Sequence, residues 1–220
     1  MAKRPVPGRV KTRLQPRCSP RQAAEVHAAM LRYVLARVAA HVAAGAWVLA
    51  LDGNGADESA VTVDVPAGWR TVDQGAGDLG ERLDHVWQAV GQAAVVFFGV
   101  DCPDVPAAAL RAIGPALASH DAAVGPVEDG GYWTLAAGRY LPPLLEGIDW
   151  GSPSVYDQTV AAASRAGLHL SALPRWYDVD APPDLAALQR RLTAAREPAL
   201  VQLRHDLEHI LDDPIQSLKG

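Results

Sequence analysis

Seven of the first 24 residues are basic and none is acidic: Lys3, Arg4, Arg9, Lys11, Arg13, Arg17 and Arg21 all precede Glu25. Within Lys3-Arg4-Pro5-Val6-Pro7-Gly8-Arg9-Val10-Lys11-Thr12-Arg13-Leu14, two prolines and a glycine impose an extended loop with a sharp turn. Arg9, Lys11 and Arg13 alternate as they would along an extended segment, so three cations share one side. Their natural partner is a di- or triphosphate, with the compact ammonium of Lys11 acting as a point charge. The loop is not a Walker A loop, because no GK[ST] occurs. A solvated basic edge is the plainer reading. A targeting peptide is disfavoured by prolines at 5, 7, 16 and 20 and by the lack of an apolar core.

Two acidic segments could hold a metal. Asp101 and Asp104 follow the most apolar stretch of the chain, Ala93 to Val100, and a carboxylate leaving a buried strand can hold a hard divalent cation. Asp101 is the ligand candidate, whereas Asp104 reads as a cap for a helix starting near Pro106. In Tyr177-Asp178-Val179-Asp180-Ala181-Pro182-Pro183-Asp184, alternation sends Asp178 and Asp180 to opposite sides, and Asp180 is the ligand candidate. Asp184 suits the first turn of the next helix. Asp101 and Asp180 together would hold Mg²⁺ or Mn²⁺ against phosphate.

Two glycine-bearing segments remain. Gln74-Gly75-Ala76-Gly77-Asp78-Leu79-Gly80-Glu81-Arg82 opens a helix with free backbone donors, and Glu128-Asp129-Gly130-Gly131-Tyr132-Trp133 places two acids and two glycines before an aromatic strand. His205 and His209 have the spacing of a zinc pair but lack the HExxH context.

These residues need a scaffold, and the pattern supplies one. The chain has 220 residues, 49% hydrophobic, with a formal charge of -5, enough for one domain and unfavourable for binding nucleic acid. No apolar stretch approaches the roughly 20 residues of a membrane span, so no membrane partner is expected. Two cysteines, Cys18 and Cys102, suit a reducing compartment, and a cytoplasmic location is expected. Ser19-Pro20-Arg21-Gln22 reads as a capped helix start. The spacing predicts helices to Gly45, over 79–92, 106–119 and 153–166, and strands over 46–51, 60–65, 69–73, 94–100, 122–127, 132–136 and 168–173. The 94–100 strand does not alternate and should be buried on both faces. From Asp184 onward the chain reads as helical with a break near Pro198, which divides a 1–197 body from a 198–220 amphipathic helix. That helix is expected to pack on the body or on a second subunit in a homodimer. The alternation implies an α/β layer fold with a mostly parallel sheet.

The segments Ala2-Lys3-x-Pro5-x-Pro7-Gly8-x-Val10-Lys11-Thr12-Arg13-Leu14, Gly77-Asp78-Leu79-Gly80-Glu81-Arg82, Asp101-Cys102-Pro103, Gly125-Pro126-x-x-Asp129-Gly130-Gly131-Tyr132 and Asp178-Val179-Asp180-x-Pro182-x-Asp184-Leu185 occur in this order. Together they resemble the transferase family associated with radical-SAM/selenodomain proteins, itself similar to the GT-A superfamily of nucleotide-diphospho-sugar transferases. The resemblance implies a GT-A-like three-layer sandwich with helices on both faces of a mostly parallel central sheet. It also implies a nucleotide or nucleotide-sugar substrate and a small-molecule acceptor. Lys11, Arg13 and Asp101 would be catalytic. Lys3, Gly8, Arg9, Thr12, Gln74, Asp78, Gly80 and Arg82 would contact the nucleotide, and Asp129, Gly130, Gly131, Tyr132 and Trp150 the sugar or acceptor. Asp101 and Asp180 would hold the metal.

Members of that family usually carry an apolar strand before the Ala-Lys-x-Pro motif. Met1 stands where that strand would end, so a start at an upstream codon is expected. Trp150-Gly151-Ser152-Pro153 also departs from the usual Ser/Thr-Thr after the Trp, which bears on acceptor identity. The expected activity is metal-dependent glycosyl transfer from a nucleotide-sugar. Nucleotidyl transfer from a triphosphate to a phosphorylated acceptor is the alternative, favoured by the density of cations, and a non-catalytic nucleotide-binding module is the third.

Overall fold

A computed structural model describes residues 1–15, 17–53 and 58–212. The first helix, α1 (Pro20–His41), begins at a capping box: Ser19 Oγ accepts from the Gln22 amide and the Ser19 amide donates to the Gln22 side chain. In chain order there follow β1 (Trp47–Leu51), β2 (Trp69–Asp73), α2 (Leu79–Ala89), β3 (Val95–Phe98), α3 (Ala107–Leu117), β4 (Ala122–Pro126), β5 (Tyr132–Ala137), α4 (Val155–Arg165), β6 (Leu170–Ala172), α5 (Pro182–Leu192) and α6 (Pro198–Asp212). Short 3-10 turns lie at Thr12–Leu14 and Pro142–Leu144.

The strands form two sheets, and the larger is mixed, which corrects the expectation of one mostly parallel sheet. β1 and β2 pair in parallel, while the four-stranded sheet has the order β3-β5-β4-β6, with β5 antiparallel to both β3 and β4 and β6 parallel to β4. The reason is local. A parallel crossover needs a dozen or more residues, and only residues 127–131 separate β4 from β5. The Asp129-Gly130-Gly131 turn therefore makes a hairpin.

Helices cover both faces of this sheet. Val34 and Val38 of α1 and Leu110 and Ile113 of α3 pack with Ala123 and Ala136, while Leu83, Val86 and Trp87 of α2 and Ala163 of α4 pack with Ala122, Val124 and Leu135. A register shift at Gly125–Pro126 turns Trp133 onto the α1/α3 side, as a bulge re-aims a side chain. The expected strand over 60–65 is not formed. Its valines alternate, but Val61 makes one backbone bond to Pro5 and Val63 packs on the core, so the segment lines the basic loop without joining a ladder. The 94–100 segment is an edge strand, and only Phe97 of its four paired residues is fully buried.

α6 lies on α1. Leu203 and Leu207 are fully buried, Asp206 accepts from Arg32 and Tyr33, and Gln22 donates to the Ile210 carbonyl. Residues 213–220 of the expected terminal helix lie outside the described residues. Among the described residues no helix is long and apolar enough to cross a membrane, and Cys18 and Cys102 are free and buried.

Asp104 does not cap α3. It is buried in an ion pair with Arg191 and accepts from the Trp176 indole, because the tail of α5 reaches across to the loop after β3. A second clamp holds the same loop from the other side. Arg37, almost wholly buried in α1, donates to the carbonyls of Pro103 and Val105 and forms a forked pair with Glu197. The segment that carries Asp101 is thus fixed by two guanidinium groups at the end of β3.

Candidate active site

The basic loop folds back over the sheet ends. Arg4 is anchored to the end of β1: its amide donates to Asp52 and its guanidinium to the carbonyls of Asp52 and Gly53. Lys11 adopts a left-handed backbone conformation (φ 46°, ψ 38°) before the first 3-10 turn, which drives its side chain inward, where it is only 5% exposed. There Lys11 Nζ lies 2.6 Å from Asp101 Oδ1 and 2.9 Å from Asp180 Oδ1, and it donates to the Val179 carbonyl. Burial alone would lower its pKa, but Asp101 and Asp180 outweigh burial and raise it. Lys11 is therefore a fixed cation joining the two aspartates proposed as metal ligands. Arg13, largely exposed, lies 3.5 Å from the other oxygen of Asp180.

Around this junction opens a cavity of about 700 Å³, lined by Lys3, Arg9, Lys11, Thr12, Arg13, His27, Gln74, Leu79, Arg82, Asp101 and Asp180, with Gly77 and Gly99 at its walls. Most of the expected phosphate and nucleotide residues therefore share one wall system. Its volume suits a ligand of nucleotide size. His27 was not singled out from the sequence. Its Nε2 meets the Lys3 carbonyl at 3.0 Å, and burial lowers its pKa, which favours the neutral ring.

Several of the expected contact residues also have structural work. Gln74 lines the cavity, but its amide donates to the carbonyls of Ala2 (2.8 Å) and Ala50 (2.9 Å), so it clips the N-terminus to β1. Asp78 caps α2 in a reciprocal pair with Glu81. Gly80 is buried under Trp150, whose indole nitrogen would meet an added Cβ at 2.2 Å. Trp150 in turn packs edge-on against Tyr132, so these three build the wall beneath α2. Burial pushes the Tyr132 phenol upward, and its oxygen is buried without a hydrogen-bond partner among the described residues. Gly8 turns the basic loop at φ 78°, away from other groups. Arg82 donates to the Gly77 carbonyl at the cavity mouth.

The hairpin turn brings a further carboxylate to Asp180. Oxygens of Asp129, Asp178 and Asp180 all lie within 4.8 Å of one another. Burial first, then Asp129 and Asp180, push Asp178 up to about 6. Alternation misplaced Asp178 because residues 177–180 are not a strand, so the period of two does not hold there. The oxygen-only donor set and the raised carboxyl fit a hard divalent cation, which would be held by Asp180 with Asp101 on one side or with Asp129 and Asp178 on the other. Gly131 donates to Asp129, orienting it. Gly130, at φ 92°, has its carbonyl bonded to the Tyr156 amide, and an added Cβ would lie 1.7 Å from the Pro153 carbonyl oxygen. Gly130→Ala is expected to cost about 2–4 kcal/mol, readable as a lowered urea midpoint, because the backbone angle and the Pro153 carbonyl both oppose a side chain.

Comparison with known proteins bears on the fold and the family. The crystal structure of a "putative nucleotide-diphospho-sugar transferase" from Desulfovibrio desulfuricans G20 matches with a TM-score of 0.81 and 29% identity, over 96% of this chain and 94% of that one. Rv0371c from Mycobacterium tuberculosis H37Rv aligns over 85% of this chain and 97% of that one, at 19% identity and a TM-score of 0.42. No curated protein matches. The mixed α/β fold, with six helices and two sheets among the described residues, is thus structurally similar to a nucleotide-sugar transferase. A family model described as "Uncharacterized protein conserved in bacteria (DUF2064)" matches residues 34–152, more than half of the chain, and the protein belongs to that family.

Proposed function

We propose that the protein is a metal-dependent transferase that moves a glycosyl group from a nucleotide-diphospho-sugar to a small-molecule acceptor. The observation that carries this reading is the junction of Lys11 with Asp101 and Asp180 at the floor of a cavity rimmed by Lys3, Arg9, Arg13 and Arg82. The name of the Desulfovibrio desulfuricans structure, which spans nearly the whole chain, supports the same class.

In this reading Arg9 and Arg13 bind the diphosphate from the open side, and Lys11 holds Asp101 and Asp180 at a fixed separation beneath it. A divalent cation bound at these carboxylates would neutralise charge on the departing diphosphate. The acceptor oxygen forms a bond to the anomeric carbon as the bond from that carbon to the diphosphate oxygen breaks, and the electron pair leaves with the nucleoside diphosphate. In this reading the Asp178 carboxylate, beside Asp129, takes the acceptor's proton. Gly130 lets the hairpin turn pack against the Pro153 carbonyl, and the Gly131 amide orients Asp129.

A second reading, nucleotidyl transfer, is favoured by the five lysines and arginines lining the cavity, which suit a triphosphate better than a diphosphate. In that case an acceptor phosphate attacks the α-phosphorus and pyrophosphate leaves. Incubation with Mg²⁺ or Mn²⁺ and panels of nucleotide-sugars and nucleoside triphosphates, with products read by mass, separates the two. Nucleoside diphosphate release supports glycosyl transfer, and pyrophosphate release supports the alternative. Ligand-dependent thermal shifts without turnover by either panel would leave a binding module.

A further inference from the structure

Every N–H donor of the Lys11 ammonium has an acceptor: Asp101 Oδ1 (2.6 Å), Asp180 Oδ1 (2.9 Å) and the Val179 carbonyl. Because the side chain is only 5% exposed, swinging it elsewhere would strip buried groups of their partners. Its entry into this position is set by the backbone, through the left-handed conformation at residue 11. Lys11 is therefore a stationary positive charge, built into the floor of the cavity.

What this charge faces decides its effect. Lys11 takes one oxygen of each aspartate, and the second oxygen of Asp180 has Arg13 Nη1 at 3.5 Å. The two cations differ in freedom. Arg13 is 78% exposed and can turn outward to a ligand, whereas Lys11 cannot. Lys3, Arg9 and Arg82 complete a lining of five lysines and arginines against Asp101 and Asp180 alone. A free divalent cation approaching these aspartates meets a wall of net positive charge, with one cation bonded to both of its ligands. Charges that share carboxylates lie so close together that their repulsion persists even at the dielectric of water. A metal ion that arrives on a diphosphate carries phosphate oxygens of the opposite sign, which offset Lys11 and engage Arg13.

We propose that Lys11 excludes free divalent cations from Asp101 and Asp180 and admits them only with a diphosphate, so that the species the site recognises is the metal–diphosphate complex. The inference rests on the transferase reading above and gives it an order of events. Metal and diphosphate enter together, and each raises the affinity of the other by the same factor. They also leave together: once the diphosphate departs, the charge of Lys11 again opposes the metal. Asp129 and Asp178, on the other side of Asp180, are the competing seat for free metal.

The test is equilibrium dialysis of the full chain against Mn²⁺ alone and against Mn²⁺ with inorganic pyrophosphate, manganese being counted on both sides. The wild type is compared with two neutral variants, Lys11→Met and Lys11→Gln, and with Lys11→Arg, which keeps the charge; urea denaturation confirms that each is folded. Both neutral variants are expected to bind free Mn²⁺ about ten-fold or more tightly than the wild type, and Lys11→Arg as weakly as the wild type. Pyrophosphate is expected to tighten Mn²⁺ binding in the wild type, and to do so less in the neutral variants by the same factor. Neutral variants that bind free Mn²⁺ no more tightly than the wild type would overturn the proposal. So would equal tightening in Lys11→Arg, which would trace the effect to packing, or tight binding of free Mn²⁺ by the wild type that is lost in Asp129→Asn. In each of these cases manganese bound with pyrophosphate leaves the metal-dependent transferase reading in place. Manganese bound by no form, with or without pyrophosphate, would overturn that reading and this inference with it.

Discussion

Lys11→Met is expected to lower turnover by about 10²–10³-fold, the scale of removing one preorganised charge from a transfer site, while leaving the protein folded. The side-chain stem is retained, so packing under the basic loop changes little. What is lost is the cation between Asp101 and Asp180. These carboxylates are 48% and 35% exposed, so water screens their repulsion, and stability should fall by no more than about 1 kcal/mol. Lys11→Arg should not restore activity, because a planar guanidinium cannot replace a compact ammonium held by two carboxylates and the Val179 carbonyl. Steady-state kinetics beside urea denaturation checks both halves. Retained turnover in Lys11→Met would remove Lys11 from the chemistry.

The largest effect on stability is expected far from the cavity. Arg37→Met should cost about 3–5 kcal/mol, as for breaking a buried ion pair by removing one partner, and lower Tm on the order of 10 °C. Two buried carbonyls, Pro103 and Val105, lose their donor, and Glu197 loses its partner. Because Arg37 also braces the loop that carries Asp101, any activity that remains should show a weakened response to divalent cation. The pH dependence has a definite sign. Burial would raise the Glu197 pKa, but bonds from Arg37 and His41 outweigh it and lower it from 4.5. Glu197 thus contributes stability above its unfolded value, and that contribution is lost as pH falls through the lower folded value. Denaturation midpoints measured down the acid range should therefore fall less in Arg37→Met than in the wild type.

Local signals carried most of what the sequence disclosed. The Ser19–Gln22 capping box, the helix start at Leu79 and most of the strand positions are short-range features, and each stands where its pattern puts it, whereas the helix read from Asp184 begins two residues earlier, at Pro182. That the basic loop, Asp101 and Asp180 share one site was legible as well, through the polyphosphate and metal each side was expected to hold; the direct ion pairs of Lys11 with both aspartates were not. Sheet direction was less accessible. Strands alternating with helices suggest parallel pairing, yet the short 127–131 turn forces a hairpin, and that length was itself a readable sign. The valines of 60–65 show that an alternating pattern makes a strand only where an edge is available to receive it. The work of Gln74, Gly80 and Trp150 was hidden because it depends on contacts across the fold: Gln74 with Ala2 and Ala50, and Gly80 with Trp150. Asp178 was hidden by applying the strand period to a segment that bends.

The account rests on one convergence, in which the basic loop and the aspartates that end β3 and precede α5 serve the same bound diphosphate. A crystal structure with Mn²⁺ and a nucleoside diphosphate, located by anomalous scattering, tests it most directly. The account predicts a manganese peak within coordinating distance of Asp180, with the diphosphate against Arg9 and Arg13. Manganese and diphosphate bound together on another face, with the Lys11–Asp101–Asp180 junction unchanged and bare, would contradict it.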